Sequence, residues 1–247
     1  MKKIFNIILI SSCILAFASC EMFKMDNYDG PNAKIKGIIK DSSTGQAVPT
    51  DIQNGTAIRA YELGWTEPAV SNQTFVVKQH GEYQNDMIFA GTYNLEIING
   101  NVYPVTYENV VLKKGSNTYD VVATPYIRIK NQSITKNGNI ITATFSLEAG
   151  KPEVKVSAIR LYAHSDIYVG EQVKFGIEGT ARRTFSPSIA IDGTTYTLTI
   201  DVSAYPNNFK YSTPRNYYFR IGALADVANQ GTIRYNYGDL EIIKMSF

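Results

Sequence analysis

Residues 141–148 read Ile141-Thr142-Ala143-Thr144-Phe145-Ser146-Leu147-Glu148. Apolar side chains take every odd position and polar ones every even position. A helix would scatter these four apolar groups around its circumference, whereas a strand places them all on one face. The stretch is therefore a strand with one buried side. The same period recurs in both directions. Upstream, Ile35 and Ile39 alternate with Lys34, Lys36 and Lys40, and Tyr93, Leu95 and Ile97 alternate with Asn94 and Glu96. Downstream, Tyr196, Leu198, Ile200 and Val202 alternate with Thr197, Thr199 and Asp201, and Tyr217, Phe219, Ile221 and Ala223 form a further inward row. No segment sustains a 3.6-residue period, and the enrichment in Thr, Tyr, Val and Ile agrees with strands. Asn99-Gly100, Asn137-Gly138 and Asp192-Gly193 sit between such runs and are expected to form two-residue hairpin turns. Short strands at this spacing predict an all-β chain built from β-sandwiches.

A break is expected near Thr124-Pro125. Tyr119, Val121 and Ala123 end one alternating run, and Ile127 and Ile129 begin another with Arg128 and Lys130 outward. Proline interrupts ladder pairing and suits the junction. The expected organisation is a leader over 1–19, a tether over 20–32, and sandwiches over 33–124 and 125–247. Domains of about 100 and about 120 residues are of ordinary size.

The chain has 247 residues, 44% of them hydrophobic, enough for two cores. Its 24 basic residues nearly balance 22 acidic ones, and two of the basic residues, Lys2 and Lys3, fall in the leader. No basic run stands out, so no nucleic-acid partner is expected. Both cysteines, Cys13 and Cys20, lie near the start, so no internal disulfide of the mature chain is expected. Met1-Lys2-Lys3 is a positive start, and Ile4 to Phe17 is an apolar run shorter than the roughly 20 residues of a spanning helix. It ends at Ala18-Ser19-Cys20. This resembles a bacterial lipoprotein signal, with Phe17 where leucine is commoner. The expectation is cleavage before Cys20 and a diacylglycerol on its thiol. An ordinary secretory signal with an incidental cysteine is the alternative. Glu21 to Asn32 is short and polar, with Asp29-Gly30-Pro31 as turn punctuation.

Chemistry is harder to place. His80 and His164 lack ligand spacing, and Asp26, Asp29 and Asn32 lack the full calcium-loop pattern, so no metal or other cofactor is expected. No nucleophile elbow, phosphate loop or dinucleotide motif occurs. Glycoside hydrolysis needs two carboxylates at a set separation. Glu62 and Glu67, or Asp166 and Glu171, offer pairs, but nothing singles one out, and no enzyme activity is expected. Sugar binding uses flat aromatic faces beside polar groups. Trp65 is the lone tryptophan, close to Tyr61, and Tyr103 and Tyr107 flank Pro104. Trp65, Tyr61, Tyr103 and Tyr107 are the candidate glycan-binding residues, against the plainer reading of tyrosines as sandwich core.

Residues 35–49, Ile-Lys-Gly-Ile-Ile-Lys-Asp-Ser-Ser-Thr-Gly-Gln-Ala-Val-Pro, with Phe89-Ala90-Gly91-Thr92-Tyr93-Asn94-Leu95, resemble carboxypeptidase-regulatory-like, transthyretin-type sandwiches. Tyr217-Tyr218-Phe219-Arg220-Ile221-Gly222-Ala223 is similar to a late strand of fibronectin-type, immunoglobulin-like domains. Asp26 to Asn32 before the Gly37 strand, then Glu62-Leu63-Gly64-Trp65, then Phe89 to Tyr93, resemble a Bacteroidetes lipoprotein family, the domain-of-unknown-function family numbered 3823. The resemblance covers roughly residues 20 to 247 and brings no catalytic residues. It implies an outer-membrane lipoprotein facing the cell surface, working beside outer-membrane glycan transporters as a non-catalytic glycan-capture accessory. The alternative it leaves open is a structural or assembly partner of the transporter complex that binds no sugar.

Overall fold

The computed structural model describes residues 29–64, 71–97, 99–209 and 212–246. The leader, Cys20, Asp26, Trp65 and Glu67 lie outside the described residues. Sixteen strands run in order: β1 (Ala33–Asp41), β2 (Ala57–Glu62), β3 (Gln73–Val76), β4 (Glu82–Ile88), β5 (Gly91–Ile97), β6 (Val105–Leu112), β7 (Gly115–Thr118) and β8 (Val121–Ala123) in the first domain. The second holds β9 (Ile127–Asn137), β10 (Ile140–Ala149), β11 (Lys155–His164), β12 (Arg182–Ala190), β13 (Thr195–Asp201), β14 (Arg215–Asp226), β15 (Asn236–Tyr237) and β16 (Glu241–Met245). The only helical pieces among the described residues are single turns, in keeping with the absence of a 3.6 period.

Each domain is two sheets packed over one core. In the first, β4-β1-β7 with β8 also on β1 faces β3-β2-β5-β6. The alternating rows supply the filling: Ile35, Ile39, Tyr93, Leu95 and Ile97 are buried together with Ile58, Phe75 and Tyr83. In the second, β13-β10-β9 faces β12-β11-β14-β15, with β16 also on β14. Ile141, Ala143, Phe145 and Leu147 meet Tyr217, Phe219, Ile221 and Ala223 across that core. Burying one large aliphatic or aromatic side chain contributes about 1.5–3 kcal/mol, so these rows account for most of the driving force.

Two of the three expected hairpin turns are corrected. Asn137-Gly138 does close the β9–β10 hairpin, with Gly138 at φ 58° and Asn137 paired to Ile140. Asp192-Gly193 joins β12 to β13, which lie in different sheets, so it is a crossover rather than a hairpin. Asn99-Gly100 belongs to a longer link between β5 and β6. Gly100, at φ 137°, bridges to Ile233 of the second domain, donating to Thr232 O and accepting from the Arg234 amide. The glycine is needed for the link to pack on Thr56 of its own domain, because a Cβ there would fall 2.4 Å from Thr56 Oγ1.

The domain junction is polar and closed. Asn101, 1% exposed, accepts from Thr56 Oγ1 and donates to Pro49 O and Tyr235 O, so its side chain spans both domains. Asn236 returns the contact, donating to Asn101 O while its own oxygen accepts from the Ile127 amide. Gln79 Nε2 reaches Ile167 O at 2.9 Å. Arg220 and Tyr237, on the outer face of the β11–β14–β15 sheet, complete the contact with the first domain. Buried polar groups hold when they find partners, and here several of those partners, Tyr235 O, Asn101 O and Ile167 O, come from the opposite domain, while Asp51 Oδ1 and Gln79 Oε1 find none among the described residues.

Candidate functional site

Of the sequence-named aromatics, two are structural. Tyr103 is buried beside the junction, with the Tyr126 ring 4.7 Å away and Lys151 Nζ 3.9 Å from its centroid. Its hydroxyl donates to Glu153 Oε1 at 2.9 Å, and burial together with that carboxylate pushes the phenol up. No ring face is left for a ligand. Tyr107 lies opposite Leu95 in the β5–β6 register, so it shares the inner side of the sheet. Its hydroxyl donates to Val122 O and accepts from the Val122 amide, both at 2.8 Å, tying β8 to β6. Core packing and backbone ties occupy both Tyr103 and Tyr107, as the plainer reading of them as sandwich core expects.

Tyr61 differs. It pairs with Asn94, whose neighbours Tyr93 and Leu95 point inward, so Tyr61 and Asn94 share the outer face. Around them the register lays out a row across all four strands, Thr74–Arg59–Glu96–Thr106. Along β2, Arg59 and Tyr61 stand about 7 Å apart, and Asn94 lies about 5 Å across from Tyr61. Tyr61, Arg59 and Glu96 are half-buried, and neither Arg59 nor Glu96 forms an ion pair among the described residues. Asn94 Oδ1 accepts from the Asn109 amide, which holds the side-chain amide in place. A flat face with one aromatic ring, a guanidinium, a carboxylate, an amide and threonine hydroxyls suits a polyhydroxylated ligand. The outward positions Asn94 and Glu96 were visible in the alternation, but their alignment with Arg59 and Tyr61 comes from strand pairing alone.

A cleft of about 230 Å³ lies at the junction, lined in part by Asp41, Gln46, Arg128, Lys130, Gln132 and Asp239. Its polar groups are engaged with one another. Arg128 holds Asp41 in a two-point contact, Nε to Oδ2 at 2.5 Å and Nη2 to Oδ1 at 2.7 Å, and adds Glu148 at 3.1 Å. Gln132 bonds both the amide and the carbonyl of Asp239. Burial alone would push the Asp41 carboxyl up, but Arg128 and the Ser43 amide outweigh it and hold it at about 2, against 3.8 when free. A folded value below the unfolded one means the stabilisation is complete above about pH 4 and is lost as pH falls through about 2. Replacing Arg128 with methionine is expected to cost about 3 kcal/mol at neutral pH, since it leaves a buried carboxylate unpaired. Urea unfolding of both forms at falling pH should show the gap close as Asp41 protonates. A gap independent of pH would show that packing, not the ion pair, carries the effect.

The remaining acid–base candidates serve the structure. Burial pushes the Asp51 carboxyl up, against the opposing pull of the Tyr237 hydroxyl and Arg220, but it faces the domain junction rather than solvent. Asp166 caps the Tyr168 amide, and Glu171 accepts from Tyr162 and Lys174. His80 is exposed, and no cluster of metal-binding side chains occurs among the described residues.

Comparison with known proteins adds the following. The family model described as the DUF3823 N-terminal domain matches residues 33–124, and that described as domain of unknown function DUF3823_C matches residues 127–237. No curated protein matches the chain. A crystal structure from Bacteroides uniformis, named a "putative carbohydrate binding protein", is 49% identical, with a TM-score of 0.82 over 87% of this chain and all of that one. A DUF3823 family protein from Parabacteroides merdae is 22% identical, with a TM-score of 0.66 over 87% of this chain and 100% of that one, a likeness of fold.

Proposed function

The chain belongs to the DUF3823 family, and from that premise we propose that it is a lipoprotein, anchored through Cys20 at the outer membrane, that captures a glycan without transforming it for an uptake system. The observation that carries the glycan arm is the 49% identity, over the whole length of that protein, to the Bacteroides uniformis protein named for carbohydrate binding. The outer face of β2 and β5 supplies the contact: the Tyr61 ring stacks on the sugar, while Arg59, Asn94 and Glu96 bond its hydroxyls. The anchor rests on the Ala18-Ser19-Cys20 signal.

The test is affinity gel electrophoresis of residues 21–247 against a panel of polysaccharides. At least one glycan is expected to retard the protein, and Tyr61→Ala is expected to weaken that binding about tenfold, the scale of a lost aromatic contact. Trp65→Ala, the other sequence-named aromatic, runs beside it. Retardation untouched by Tyr61→Ala keeps the function and removes this face. Protein that no glycan retards would sink the capture reading and leave the assembly role.

A further inference from the structure

The first domain has two ends. One docks on the second domain through residues 50–51, 79 and 99–103. The other is where the chain enters the fold. There, Asn32 O accepts from the Gly115 amide, Asn32 Oδ1 accepts from the Ala90 amide, and Ala33 pairs with both Ile88 and Gly115. The ends of β2, β4 and β6 and the starts of β1, β5 and β7 converge at this pole.

The pole is apolar for a free surface. Met87 is 69% exposed and Val111 62%, the two highest values among the large apolar side chains of the described residues, and both lie one residue from a strand end here. Phe89 in the β4–β5 turn and Leu63 just past β2 are each 37% exposed. The turn that carries Phe89 is pinned, because Tyr93 Oη donates to Phe89 O at 2.9 Å. Exposed lysines rim the same end: Lys34 beside the entry point and the Lys113-Lys114 pair in the β6–β7 turn, none of them in an ion pair among the described residues. Asp86 is the neighbouring acid on β4, and it accepts from Gln84.

We infer that this pole is a second membrane contact, resting on the headgroups of a phosphate-bearing lipid surface. Met87 and Phe89 enter the interface, and Lys34, Lys113 and Lys114 meet the phosphates. The occupant follows from where the tether ends: residues 20–32 can span at most about 45 Å and join the fold at this pole, so the lipid and the exposed apolar groups share one side. The diacylglycerol expected on Cys20 already carries two acyl chains and holds firmly, and a basic and apolar patch beside it adds a contact that orients the domain on the headgroups. This inference rests on the Cys20 anchor of the proposed function and is independent of its glycan arm.

The test removes the lipid. Mature chain carrying Cys20→Ala is sedimented with vesicles of phosphatidylcholine alone and with vesicles containing phosphatidylglycerol. Binding to the anionic vesicles is expected, falling with salt, and Lys113→Glu with Lys114→Glu should reduce it about tenfold or more. Met87→Asp with Phe89→Asp should reduce it as strongly, while Ile167→Asp on the second domain leaves it unchanged. Circular dichroism confirms that the variants remain folded. No partition into either vesicle, or equal partition of all variants, overturns the inference. Mass spectrometry of Cys20 in the native protein reads the anchor separately, so loss of one result does not disguise loss of the other.

Discussion

Replacing Arg220 with methionine is expected to uncouple the two domains. Arg220 is 1% exposed, and its guanidinium is held entirely by backbone carbonyls. It donates to Thr50 O at 3.1 Å and Gln79 O at 3.3 Å in the first domain, and to Gly238 O at 3.2 Å and Val169 O at 3.4 Å in the second. The plane also lies 4.2 Å from the Tyr237 ring centroid. Burial pushes the guanidinium down to about 10, so it remains charged at neutral pH. Methionine fills much of the volume but leaves the buried carbonyls of Thr50, Val169 and Gly238 without the Arg220 donor, while Gln79 O keeps the Thr50 amide. It also leaves Asp51, whose carboxyl already lacks a partner for Oδ1, without the nearby positive charge. Each unsatisfied buried group costs about 1–3 kcal/mol, and relaxation at the junction recovers part of that, so a net loss of about 3–5 kcal/mol is expected. Because the loss falls on the contact between domains and not on either core, calorimetry should show one transition in the parent become two in the variant. A single transition at an unchanged midpoint would show that the junction is held by other contacts.

Gly37→Ala is expected to unfold the first domain selectively. β1 is a central strand, paired with β4 on one side and β7 and β8 on the other, so it cannot shift. Gly37 sits opposite Tyr83, whose ring crosses the glycine and whose hydroxyl donates to Tyr119 O. A Cβ at Gly37 would lie 1.9 Å from that same oxygen and 2.9 Å from the ring. The glycine here is required by space, since the Tyr119 carbonyl, with the Tyr83 ring behind it, occupies the position that a methyl would need. Relief demands moving the Tyr119 backbone together with Tyr83, itself 1% exposed, or breaking the β1 ladder, at a cost of about 3 kcal/mol or more. Gly45→Ala is the control: its φ is 70° but its Cβ would meet nothing within 4 Å, so only a small backbone penalty of about 1 kcal/mol applies. Denaturant unfolding of both variants checks the contrast. Equal losses would mean that the Tyr119 and Tyr83 contacts yield more readily than their packing implies.

The all-β class, two domains and the composition of both cores were legible before any coordinates. A side-chain period of two leaves only one way to bury Ile141, Ala143, Phe145 and Leu147 together, and the same holds for the rows at 93–97 and 217–223. The site was legible only in part. Tyr61 could be named from its type, but Tyr103 and Tyr107 carry the same chemistry and are taken up by the fold. Local sequence does not say whether a tyrosine hydroxyl will meet water or a carbonyl from a distant strand. Two of the three turn signals failed for the same reason. Asn99-Gly100 has the residues of a hairpin, yet its backbone is bound by residues 232–234, more than a hundred positions away.

What the sequence determined by itself is the pattern of inward and outward residues along each strand, because that pattern is a property of neighbours. Tertiary structure alone decided which strands lie side by side. It thereby set Arg59 and Tyr61 against Glu96 and Asn94, seated Arg220 among carbonyls of both domains, and gathered Met87, Phe89 and Lys113 where the chain enters. Those placements depend on register and docking between segments far apart in the chain, and the free energy that selects them is shared over many contacts rather than written in any one stretch.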